Sequence, residues 1–195
     1  MKLGQAVAYH ATTPMDGWDG TSWTFAVTKG DFHTFDRFIT ERSFGLKKRV
    51  FTVPGVINSS YLALRDPLGG VYLITSQTPD FHSTDNYLNT YLILQADFSF
   101  EVLKIQKTEN AAGVPIGSSK VVVATFFGDM ERYSGEGSYM ADHARYSVVD
   151  IVLPAIAKDT VNVDSVLRTQ GEEYVVTEAL PMLRTLEIKA VKREG

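Results

Sequence analysis

Apolar and polar residues alternate with a period of two along much of this chain. The runs are rich in β-branched and aromatic side chains, which predicts strands buried on one face. Arg49-Val50-Phe51-Thr52-Val53 is such a run, and Pro54-Gly55 stops it. Tyr61-Leu62-Ala63-Leu64-Arg65 and Val71-Tyr72-Leu73-Ile74-Thr75 flank the turn Asp66-Pro67-Leu68-Gly69-Gly70, which predicts a hairpin. Residues 87–105 read as one long strand, or as two strands across a bend at Ala96-Asp97. Residues 120–127, 144–153 and 161–168 predict three more strands. Residues 173–178 and 185–192 predict a terminal hairpin around Ala179-Leu180-Pro181-Met182-Leu183.

Helical spacing appears once. Phe32, Phe35, Phe38 and Ile39 share one face at three- and four-residue intervals. Asp31 can cap a helix over 31–42 and Gly45 can end the segment; a loop tucking its aromatics into a barrel mouth is the alternative. The fold class is therefore all-β: one or two small antiparallel barrels or sandwiches in tandem, with at most one short helix. The polar stretch 108–119 predicts a linker, at 111–119, between an N-terminal domain (1–110) and a C-terminal barrel (120–195) with a long loop at 129–145.

The two halves echo each other. Phe51-Thr52-Val53-Pro54 is followed by Gly69-Gly70 and Tyr72-Leu73-Ile74-Thr75. Ile151-Val152-Leu153-Pro154 is followed by Gly171 and Tyr174-Val175-Val176-Thr177. Two related barrels account for this, as does the sameness of any two short meanders.

Composition narrows the function classes. The chain has 195 residues, 44% hydrophobic and 22% charged, enough to bury a core. The net charge of −4 argues against wrapping duplex DNA, yet it suits a surface that DNA passes without sticking. The absence of cysteine removes disulfides, thiolate catalysis and Cys-based metal sites. No run approaches the length of a membrane span, and the first residues carry no apolar stretch resembling a signal peptide.

The search for chemistry finds no catalytic, cofactor or metal motif. His10, His33, His82 and His143 lack metal-ligand spacing. Asp80-Phe81-His82-Ser83-Thr84-Asp85 has the residue types of a general base oriented by a carboxylate, and it also reads as a hydrated loop. Asp16-Gly17, Asp19-Gly20 and Gly128-Asp129 read as turns. Trp18 and Trp23, with Tyr9 and Phe25, read either as core packing or as an aromatic row for sugar or a partner. Lys47-Lys48-Arg49 reads as a basic flank that blunts a strand edge.

From about residue 120 the chain carries Ser147-Val148-Val149-Asp150-Ile151-Val152-Leu153-Pro154 after a long expected loop, then Gly171-Glu172-Glu173-Tyr174-Val175-Val176, then the basic strand Leu186-Glu187-Ile188-Lys189-Ala190-Val191-Lys192-Arg193. In this order of strands and turns it resembles the head-closure and head–tail joining proteins of tailed bacteriophages. The resemblance covers about 40% of the chain and consists of strand-and-turn grammar; members are nearer half this length. It implies a non-enzymatic virion protein, assembled in the host cytoplasm. Such a protein forms a homo-oligomeric ring between portal or adaptor and tail, helps retain packaged DNA without reading its sequence, and contacts no membrane. Glu131, Arg132, Tyr133, Gly135, Gly137, Tyr139, Asp142 and His143 would form the channel or partner loop. Lys47, Lys48, Arg49, Lys192 and Arg193 would lie at interfaces. A tail terminator, tail-tube or baseplate component shares this grammar. A carbohydrate-binding sandwich is the alternative of another class.

Overall fold

The computed structural model describes residues 13–34, 48–80, 88–109, 111, 115–132 and 148–193. In chain order they form β1 (Thr13–Trp18), β2 (Trp23–Thr34), β3 (Lys48–Pro54), β4 (Ala63–Arg65), β5 (Val71–Asp80), β6 (Leu88–Gln95), β7 (Phe98–Glu109), β8 (Pro115–Arg132) and β9 (Val148–Pro154). A 3-10 turn, η1 (Ala155–Asp159), precedes β10 (Val166–Thr169), β11 (Glu172–Pro181) and β12 (Thr185–Lys192).

The described chain is all-β, as the alternation predicts, and builds two closed barrels in tandem. The first runs β1-β2-β3-β6-β5-β4. Read in the same sense, the second runs β7-β8-β9-β12-β11-β10. The strand order is the same in both. Closure pairs the strands all round, so neither barrel carries an open sheet edge along its wall.

Alternation sends one set of side chains inward in each barrel. Met15, Phe51, Val53, Leu64, Ile74 and Tyr91 fill the first. Phe100, Val102, Ile151, Leu167, Tyr174 and Ile188 fill the second. The echo in the sequence is an echo of position. Pro54 and Pro154 end β3 and β9. Tyr72 and Tyr174 are buried and stand opposite Leu64 and Leu167. Arg65 faces Asp16 and Arg168 faces Glu101, each as an ion pair, at 2.9 and 2.6 Å. β5 and β11 each bulge at a threonine. The Thr75 and Thr177 hydroxyls donate to the carbonyls of Leu92 and Lys189, both at 3.0 Å.

Gly30-Asp31 in β2 and Gly128-Asp129 in β8 form another matched pair, with Asp31 opposite Thr52 and Asp129 opposite Val152. Both glycines are required by close approach. A methyl on Gly30 would fall into the Phe51 ring. A methyl on Gly128 would lie 2.5 Å from the Val152 carbonyl oxygen.

Several expectations are corrected. Residues 111–119 are no linker between barrels: β7 and β8 pair from Phe98↔Gly128 out to Glu109↔Pro115, so 115–119 belong to the outer arm of one long hairpin. The strands divide instead at Ala96-Asp97, the expected bend, which alone separates β6 from β7. The helix over 31–42 is overturned at its start, since Asp31–Thr34 pair with Thr52–Arg49 and the Phe32 ring packs on Phe51 and Tyr72 at centroid distances of 4.9 and 5.1 Å. Its remainder, 35–42, lies outside the described residues. Asp16-Gly17 is strand rather than turn, paired with Phe25 and Thr24. Gly128-Asp129 likewise lies inside β8.

Candidate assembly surface

The contact between the barrels is built from the alternation itself. In β4, β5 and β6, Ala63, Leu73 and Leu94 alternate with the inward-facing Leu64, Tyr72, Ile74 and Ile93, and all three are buried. With Trp18 they belong to the same buried cluster as the core of the second barrel. Strand register lays them out as one cross-strand row: Trp23 opposite Trp18, Trp18 opposite Ala63, Ala63 opposite Leu73, and Leu73 opposite Leu94.

On the second barrel Phe127 meets this row, while Ile156 and Arg184 meet the turns beside it. Phe127 meets Trp18 edge-on at 6.2 Å and Trp23 at 6.1 Å. The Arg184 guanidinium donates to the Tyr61 carbonyl at 2.9 Å and to the Ser59 carbonyl at 3.3 Å. Ile156 lies over Gly20, where a side-chain Cβ would come within 2.7 Å of its Cδ1. Gly20 also needs its φ of +105° to turn β1 into β2.

That turn is held by one carboxylate. Asp19 accepts hydrogen bonds from the Thr21 and Ser22 amides at 2.8 and 2.9 Å and from the Thr21 hydroxyl at 2.7 Å. These bonds favour the ionised form, led by the Ser22 amide, and bring its pKa down from 3.8 to about 2. A depressed carboxylate stabilises the fold above its unfolded pKa, and the contribution disappears as pH falls through the folded value. The Thr21 and Ser22 amides should therefore lose protection from hydrogen exchange between about pH 4 and pH 2. Asp19→Ala should remove that step while leaving other turns unchanged; a step that persists in the variant would assign it to another group.

Trp18 is buried, and the Arg65 guanidinium lies 4.5 Å above the Trp23 ring, so the tryptophans serve the barrel contact. Phe25, by contrast, is exposed, and Tyr9 lies outside the described residues. Of the expected channel loop at 129–145, the first four residues are strand: Glu131 stands opposite Asp150 and Arg132 opposite Val149. Tyr133, Gly135, Gly137, Tyr139, Asp142 and His143 lie outside the described residues, as do His10 and His82.

The two basic groups sit on different barrels. Lys47 is outside the described residues, Lys48 and Arg49 begin β3, and Lys192 and Arg193 end the second barrel. β3 is no edge strand, because β2 and β6 flank it, so the basic flank does not blunt an edge there. Lys192 pairs with Glu172 at 2.6 Å, and Lys120 pairs with Glu173 at 2.6 Å.

The β7–β8 arm was missed in the sequence. Beyond Leu103↔Val122 this hairpin continues to Glu109↔Pro115, whereas β1–β2 turns at the matching point, Trp18↔Trp23. Ile105, Ile116, Val121, Val122 and Val123 on the arm are exposed. Five exposed aliphatic side chains on one hairpin exceed the scattered apolar exposure of an ordinary surface. Among the described residues no group of three or more His, Cys, Asp or Glu could hold a metal ion. Comparison with protein-family models, with curated proteins and with solved structures finds no match to this chain.

Proposed function

We propose that this chain is a structural virion protein that forms a ring at the head–tail junction of a tailed bacteriophage, joining portal or adaptor to tail and helping to retain packaged DNA. The observation that carries the reading is the pair of barrels with identical strand order, one of which extends an exposed apolar β-arm. Small closed barrels that present arms and faces suit assembly, and a closed ring satisfies every head-to-tail contact without leaving one open. The net charge of −4 suits a channel wall along which DNA slides. The segment that carries Tyr139 and His143 is the one we assign to the channel or to the neighbouring virion component.

The test is assembly with a DNA-filled capsid. Capsids lacking the protein should leak DNA, and added protein should bind at one vertex and restore retention. Binding along tails, or no binding to capsids or tails at all, would overturn the reading.

A further inference from the structure

Beyond Leu103↔Val122 the β7–β8 arm leaves the barrel wall, and one ion pair fixes its direction. The Lys120 ammonium donates to both oxygens of the Glu173 carboxylate, at 2.7 and 2.6 Å. Strand register sets these residues far apart. Lys120 is on β8 and Glu173 on β11, with β7 and β10 between them. Neighbouring strands lie about 4.8 Å apart, so the lateral separation on a flat sheet is roughly 14 Å. Val122, Leu103, Val166 and Val175 stand opposite one another in a row. Lys120 lies two residues beyond that row on the arm side, and Glu173 two residues beyond it on the other side. The flat-sheet diagonal is therefore roughly 20 Å, more than the two side chains can span. The pair forms because the arm curls over the outer face of the barrel.

The sequence supplies the bend. Val102 pairs with Ala124 and Leu103 with Val122, so Val123 is an extra residue, a bulge at the root of the arm. A bulge bends its strand and increases the local twist. The diagonal from Lys120 to Glu173 then crosses Leu103 and Val166. These two alternate with the inward-facing Val102 and Leu167, so they point outward, and neither belongs to a barrel core. They are nevertheless only 6% and 8% exposed. A lysine lays its methylene stem along apolar surface and keeps its ammonium in water, which suits a stem that crosses these two side chains.

We propose that the arm is a strap, hinged at Val123, clasped by Lys120 on Glu173, and able to open. The clasp is a single pair between an exposed lysine and a half-buried glutamate, a weak class of ion pair. Its release strands no charge, because Arg193 lies 3.9 Å from the same Glu173 carboxylate and takes it over. Two cations competing for one carboxylate give two discrete arrangements, closed and open. Closed, the strap covers Leu103 and Val166. Open, it uncovers them beside Ile105 and Val122, which are already exposed. The control is electrostatic: salt, or an acidic group that competes for Lys120, moves the balance toward the open form. The strap stands on the geometry of the second barrel alone and holds whether or not the chain serves a phage junction.

The test uses the full chain and its lack of cysteine. Spin labels at Ser118→Cys on the arm and Glu187→Cys on β12, both exposed, report the position of the arm. At low salt the distance between labels should be single and narrow. Lys120→Met should raise the population at a longer distance about two- to fivefold, the change that a surface ion pair supports. Salt at about 1 M should do the same in the parent, since it cuts the screening length to about 3 Å. An apolar dye should brighten in step as Leu103 and Val166 are uncovered. The melting temperature of Lys120→Met should match the parent, which separates opening from unfolding. Lys120→Arg should keep the closed distance, and so should Lys104→Ala, which removes another exposed lysine of the same arm. One narrow distance under every condition makes the arm a fixed part of the barrel and overturns the strap. A broad distribution in the parent at low salt overturns the clasp, as does equal opening in Lys104→Ala.

Discussion

Trp18→Ala should lower the unfolding free energy by about 3–5 kcal/mol, the scale for emptying a buried aromatic site. Trp18 is 8% exposed, and its neighbours cannot collapse into the gap, because Trp23 and Phe127 are each held on their own strands. The loss falls on the joint between barrels rather than on either core. Denaturant unfolding should therefore change from one transition to two, as the barrels lose their shared cluster. Trp23 is the only other tryptophan in the sequence, so in this variant its fluorescence reports the joint alone and should shift to the red before the barrels unfold. A loss below about 1 kcal/mol, with a single transition, would mean that the joint contributes little to stability.

Gly128→Ala should cost about 1–3 kcal/mol or more, the scale of overpacking a filled site. The added methyl meets a backbone oxygen at 2.5 Å, and that oxygen belongs to Val152, which is paired to Asp129 on one side and Glu187 on the other. Relief requires moving a strand. Gly30→Ala should behave alike, because the Phe51 ring beneath it is fully buried. Gly117→Ala is the control. It has no neighbour within 4 Å, and its melting temperature should match the parent. Equal melting of all three variants would show that the two barrel walls yield where they are drawn tight.

These tight places explain what the sequence hid. β1 is Thr13-Pro14-Met15-Asp16-Gly17-Trp18, and proline, aspartate and glycine are poor strand formers. Its pairing is imposed from elsewhere. Gly17 is there because the Tyr61 ring occupies the space of a side chain. Phe32, Phe35, Phe38 and Ile39 have helical spacing, but Phe32 is held by Phe51 and Tyr72 across the barrel, and local periodicity has no access to that contact. The polar run 115–120 reads as part of a linker because an exposed hairpin arm carries the same polar residues, and its pairing with 105–109 lies outside any local pattern. Where burial repeats every second residue, as in β6 and β12, pattern and structure agree.

The candidate surface was less legible than the fold. Pro54/Pro154 and Tyr72/Tyr174 were visible as an echo, since they mark strand ends and core positions. The row that joins the barrels was not, because Trp18, Ala63, Leu73 and Leu94 lie on four strands and become a row only through register. Each looks like an ordinary strand residue until closure of the barrel decides which face it takes.

The two-residue join at Ala96-Asp97 also has a consequence for synthesis. All strand pairs of the first barrel close within residues 13–95, so it can fold on the ribosome before the second barrel exists. At ordinary elongation rates the remaining residues take about 5–20 s to emerge. Throughout that interval the nascent chain displays Trp18, Leu73 and Leu94 on its outside with nothing covering them. The same apolar surface that joins the barrels in the finished molecule is thus a hazard of its birth, one the cell must bridge with a chaperone or with speed.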